Sequence, residues 1–228
     1  MRNKSLTLLV VVMAAAAFLA TGCVRRTAPK GAPTAASTSA ATSAVAYSGK
    51  TFVVAPFTIP ETDADLLSGY LPAMRAVPET APAHLDAALA QDLAGAQQTI
   101  LPARLGLDCA RSAQRGTESG RLATIRYWQN VGKCAGADFV IVPMVLDWRE
   151  REGSEVGATR AASVYLSLTL LDTRTGGILA QFQFNETQQS LSDNILEARK
   201  FVARNGRWVS ALELAQEGLQ KGVKELGL

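Results

Sequence analysis

The apolar run from Leu6 to Leu19 constrains this chain most, because it belongs to no folded domain. A helix that crosses the hydrocarbon layer needs roughly 20 apolar residues, and this run is shorter. Arg2 and Lys4 precede it, and the small residues Ala20, Thr21 and Gly22 close it just before Cys23. A basic start, a short apolar stretch and a small-residue end mark a leader that is cut away. Residues 1–22 are therefore expected to contribute nothing to the fold, and the mature chain to begin at Cys23.

The next stretch is expected to stay unfolded as well. Residues 23–49 are rich in Ala, Ser, Thr, Pro and Gly, as in Ala35-Ala36-Ser37-Thr38-Ser39-Ala40-Ala41-Thr42-Ser43. Such a segment cannot bury enough apolar surface to offset the entropy of ordering it. As a flexible tether it has an end-to-end distance of roughly 25–30 Å. The fold must then be built from residues 50–228, which suits a single domain with a sizeable core.

The leader resembles that of bacterial lipoprotein precursors, with Ala20 where Leu is most usual. The resemblance implies that the thiol of Cys23 is acylated. One acyl chain holds only marginally and two or more hold firmly, at about 0.8 kcal/mol per buried methylene. Val24 rather than Asp follows the Cys, which by the same resemblance implies the outer membrane, with the domain facing the periplasm. An ordinary secretory leader with an incidental Cys is the alternative.

The formal charge of +3 falls to about +1 once Arg2 and Lys4, the leader's two charges, are gone. A nearly neutral domain offers no electrostatic case for nucleic acid. Cys109 and Cys134 remain. In an oxidising compartment an even pair reads as a disulfide, worth roughly 3 kcal/mol for a loop of this size. Two separate buried thiols are the alternative. His84 is the only histidine and there is no Cys-x-x-Cys, so no metal site is expected. No cofactor motif occurs either.

Hydrophobic periodicity outlines the domain. Phe52 to Phe57 reads as a first strand. The stretch 58–82 carries Pro60, Pro72, Pro78 and Pro82; it is too long for a routine connection and has room for a short helix at Leu66–Tyr70. Leu85, Leu89, Leu93 and Ala96 share one face of a helix over 83–98. Thr99-Ile100-Leu101 reads as a brief strand stopped by Pro102. A second helix is predicted over 118–131, with Leu122, Ile125 and Trp128 inward and Gly132 and Gly136 ending it. Phe139-Val140-Ile141-Val142 is apolar at every position, as in a strand covered on both sides. Trp148-Arg149-Glu150-Arg151-Glu152 reads as a solvated edge or loop.

Val164, Leu166, Leu168 and Leu170 alternate with Tyr165, Ser167 and Thr169. After the turn Thr173-Arg174-Thr175-Gly176-Gly177, Ile178, Ala180, Phe182 and Phe184 alternate with Gln181 and Gln183. This predicts a hairpin with one apolar face. Helices over 193–204 and from Ser210 close the chain. The second opens with the capping box Ser210-Ala211-Leu212-Glu213 and turns Leu212, Ala215, Leu219, Val223 and Leu226 inward. Gly218 and Gly222 predict close helix–sheet contact.

The expected fold class is α/β (α+β): a mixed β-sheet with central parallel strands, an antiparallel edge hairpin and packed helices. At Val53-Val54-Ala55-Pro56-Phe57, Gly136 to Val142 and Leu170 to Leu179 the chain resembles a group of periplasmic lipoprotein domains. The group includes the amino-terminal domain of the Tol-system translocation protein, the curli-secretion lipoprotein and lipoprotein activators of penicillin-binding proteins. The resemblance implies fold and compartment; the matching residues are core strands and a turn, not a site.

No nucleophile elbow, P-loop or dinucleotide fingerprint occurs. His84 at a helix start is expected to be solvated, and Asp63 and Asp65 to sit in a solvated loop. Arg199, Lys200, Arg204 and Arg207 lie close to Phe201 and Trp208, either as a basic surface for an acidic ligand or as helix-end cations over inward rings. The sequence thus points to a non-enzymatic binding or assembly module of the cell envelope. It is held to a membrane by lipid, acts on an envelope protein partner, and has the option of oligomerising. The alternatives are a regulator of a peptidoglycan synthase, an oligomeric secretion or pore component, and a hydrolase with an unrecognised site.

Overall fold

The computed structural model describes residues 47–72, 76–114, 116, 119–189 and 198–228. The leader, Cys23, nearly all of the tether and the start of the helix predicted from residue 193 lie outside the described residues. Chain order is β1 (Thr51–Val54), a 3₁₀ turn at Asp63–Asp65, α1 (Ala81–Leu93), β2 (Thr99–Ile100), α2 (Ala103–Ser112), α3 (Arg121–Ala135) and β3 (Phe139–Arg149). Then come β4 (Glu152–Gly153), β5 (Ala158–Arg160), β6 (Ser163–Asp172), β7 (Ile178–Thr187), α4 (Ala198–Ala203) and α5 (Ala211–Glu225).

Five strands form one mixed sheet in the order β2-β1-β3-β6-β7, while β4 and β5 pair separately. β1 runs parallel to β2 and to β3, with Phe52 opposite Phe139 and Val54 opposite Ile141. β3, β6 and β7 are antiparallel to one another in turn. β1 and β3 lie inside with the β6–β7 hairpin at one edge, as the hydrophobic pattern predicts, and the short parallel strand β2 forms the other edge.

Successive strand residues point to opposite faces, so Phe52 and Val53 enter different cores. Phe52, Ile141, Leu166 and Leu168 meet Leu85 and Leu89 of α1 and Leu214 and Leu219 of α5. On the other face Val53, Val140 and Val142 meet Cys109 of α2 and Trp128 and Val131 of α3. The result is a three-layer α/β/α arrangement. The capping box of α5 is present: Ser210 Oγ accepts from the Glu213 amide, and Glu213 accepts from the Ser210 amide at 2.8 Å. Gly218 and Gly222 lie so close to β6 and β7 that an added Cβ would sit 2.5 Å from Phe184 Cδ1 and 2.6 Å from Leu168 Cδ1.

Several expectations are corrected. Residues 103–112 form a helix the periodicity did not predict. Its buried residues are Gly106 and Cys109, with Leu105 and Ala110 partly buried beside them. α3 runs through Gly132 and ends at Gly136, the residue with the left-handed backbone. Leu122 is 71 % exposed, because it lies about 120° around the helix from Trp128. Ser167 and Thr169 are buried, so in the hairpin β6 is covered on both faces while β7 has an exposed side. Trp148 is buried at the end of β3, while Arg149, Glu150 and Glu152 are exposed and Arg151 is partly buried.

The Pro-rich stretch supplies a layer that no helix provides. Its 3₁₀ turn comes at 63–65, ahead of the predicted position, and Leu66 and Leu67 then bury against Met144 and Leu146. Tyr47, assigned to the tether by composition, packs its ring 5.5 Å from Phe52 and 5.4 Å from Phe139.

Candidate functional site

The chain leaves β1 for α1 on one face of the sheet and leaves β2 for α2 on the other. Where adjacent parallel strands send their connections to opposite faces, a crevice opens beyond the strand ends. Here it has a volume of about 500 Å³. It is lined by Val54 at the end of β1 with Ala55 and Pro56 after it, and by Ile100 at the end of β2 with Leu101 after it. Ala90 and Leu93 of α1 form one wall, and Ala103 and Leu107 of α2 the other.

Gly106 holds the second wall in place. A Cβ there would lie 1.9 Å from the Val54 carbonyl oxygen, so only glycine lets α2 rest on the end of β1. A disulfide joins Cys109 of α2 to Cys134 of α3, fixing the same inward face of that helix one turn further on.

Three polar side chains, Asp86, Gln98 and Arg104, line the crevice. Asp86 is half-buried and its Oδ1 accepts from the Phe57 amide at 2.7 Å. Burial pushes its carboxyl up, and that amide bond pulls it partly back. Arg104 stands at the exposed rim and pairs with Asp108 at 3.6 Å. The lining holds no hydroxyl, thiol, amine or imidazole.

The other candidate residues lie elsewhere, and their partners explain them. Asp65 Oδ2 accepts from the amides of Glu61 and Thr62, and Asp63 Oδ1 from the amide of Leu71. They fold the loop and are not a facing carboxylate pair. His84 is exposed in the first turn of α1. Arg204 is only 8 % exposed and bonds Glu186 and Glu217, each at 2.7 Å. Lys200 also meets Glu186, and Arg207 meets Glu213 at 2.7 Å. Phe201 stacks edge-on against Trp208. The side chain of Arg199 lies outside the described residues. Lys200, Arg204 and Arg207 are thus matched by carboxylates, and they neither form an open basic surface nor act mainly on a helix end. Burial raises the Glu186 carboxyl, but its bonds to Arg204 and Lys200 outweigh this and hold it below the usual range.

Among the described residues, no three His, Cys, Asp or Glu side chains gather as a metal site, and no helix is long and apolar enough to cross a membrane. The crevice itself was not singled out by sequence reasoning. Its traces were Pro102, marking the turn after β2, and Gly106, marking a close approach.

No protein-family model matches the chain, and no curated protein matches it. Solved structures give a coarse likeness. A PelC dodecamer from Paraburkholderia phytofirmans is 15% identical over 78% of this chain and 86% of that one, with a TM-score of 0.41. Lipoprotein GNA1162 from Neisseria meningitidis is 15% identical over 69% and 96%, with a TM-score of 0.42. The LpoB C-terminal domain from Salmonella enterica is 15% identical over 61% and 84%, with a TM-score of 0.35. At these values the likeness carries no argument about what this chain does.

Proposed function

We propose that this chain is a lipid-anchored module of the bacterial cell envelope that binds a partner and performs no chemistry itself. One observation carries the binding half of this reading. The crevice between α1 and α2 is lined mostly by aliphatic side chains, with Asp86, Gln98 and the rim residue Arg104 as its polar groups, which suits docking and offers no activated nucleophile. The anchoring half rests on the leader that ends just before Cys23, with Val24 after that Cys pointing to the outer membrane and the tether giving the domain reach. The Cys109–Cys134 bond fits an oxidising periplasm.

A pore is the less favoured reading. β6 is paired on both edges and buried on both faces, so the hairpin cannot leave the sheet without opening both cores. The anchoring test is fractionation of cells making Cys23→Ser. The variant is expected in the soluble periplasmic fraction; continued membrane attachment would overturn the lipid anchor. The binding test is in-cell crosslinking from Leu107, replaced by a photoreactive residue. A discrete envelope protein adduct is expected, and its absence would overturn the docking role of the crevice.

A further inference from the structure

The chain segment that leads into β2 is itself one side of the crevice. Ala94, Ala96, Gln98 and Ile100 all line it; the segment leaves α1 through a turn at Ala94 and a bend at Gln98 and becomes extended at Thr99–Ile100. Among the described residues the two-residue strand β2 is also the last on its side of the sheet and pairs with β1. An apolar cavity therefore lies directly beside an unpaired sheet edge. That is the arrangement by which an extended peptide adds a strand and sends alternate side chains into a pocket.

The occupant's chemistry follows from the lining. Ala90, Leu93, Leu107 and Ile100 leave an aliphatic space with no aromatic ring around it. Asp86 accepts one hydrogen bond, from Phe57, and a carboxylate has room for several. Side chains two residues apart on an extended peptide share a face. We infer that the crevice takes an extended peptide segment of a partner protein, laid along β2, with an aliphatic residue in the cavity and a Lys or Arg two positions away facing Asp86. This deepens the binding role given above, and it stands apart from the anchor: its failure would leave the fractionation of Cys23→Ser unchanged.

The test is a positional-scanning library of acetylated hexapeptides against the full-length mature protein. Enrichment of Leu, Ile or Val with Lys or Arg at the i+2 or i−2 position is expected. Ala90→Phe, a change at an exposed position of α1, fills the cavity and is expected to weaken the selected peptides at least tenfold. Leu107→Trp, from the opposite wall, is expected to do the same, so both variants need not fold equally well. Asp86→Asn should keep the aliphatic preference and lose the basic one. Selection of acidic residues, no enrichment over Ala90→Phe, or an unchanged basic preference in Asp86→Asn would each overturn the inference.

Discussion

Arg204 shows how a surface-type residue becomes internal. It bridges Glu186 of β7 and Glu217 of α5, and its guanidinium is raised further above its already high range, the two carboxylates outweighing burial. Removing one partner of a buried ion pair leaves the other charged and desolvated, at a cost of about 3–5 kcal/mol. Arg204→Met is expected to shift the urea midpoint downward by a loss of that order. An unchanged midpoint would show that the network is solvated in solution. The residue's role was not legible in sequence, because Glu186 and Glu217 stand 18 and 13 positions away. A run of cations near two aromatic rings looks the same whether it faces water or carboxylates.

Elements are placed here by what they lack. α5 lies on β6 and β7 through Gly218 and Gly222, with Phe184 filling the space where a Cβ would be. Overpacking a tight core typically costs about 1–3 kcal/mol. Gly218→Ala is expected to lower thermal stability accordingly, in a calorimetric scan. α2 is held by Gly106 and by the bond from Cys109 to Cys134. Opening that 25-residue separation is expected to lower stability by about 3 kcal/mol. The paired Cys109→Ser, Cys134→Ser variant in a denaturant titration checks this, against the parent under oxidising conditions. α5 was visible in sequence through its capping box and long apolar stripe, whereas α2 was not. Pro102 reads as the stop of β2, although it is also the residue that opens α2.

Acid should destabilise the whole domain. Glu186, Glu213, Asp138 and Asp172 are held below their ordinary values by hydrogen bonds and cations. A carboxyl depressed on folding adds stability that is complete above its unfolded pKa and disappears as pH falls through the folded one. Asp86 and Asp92 are raised by burial and act in the opposite sense. The depressed set is larger, so the unfolding midpoint is expected to fall as pH drops below about 4.5. Glu186→Gln should flatten that fall; an equal slope in the variant would remove Glu186 from the account. Sequence alone supplied the expectation of a leader and tether and most of the strand and helix pattern of a mixed α/β sheet, α2 excepted, because these rest on local chemistry: run length, alternation and caps. Only the tertiary structure decided the crevice, the carboxylates that neutralise the basic cluster and the loop layer over β3. Each depends on which distant segments meet, and that is set by strand order and by the closeness of backbones.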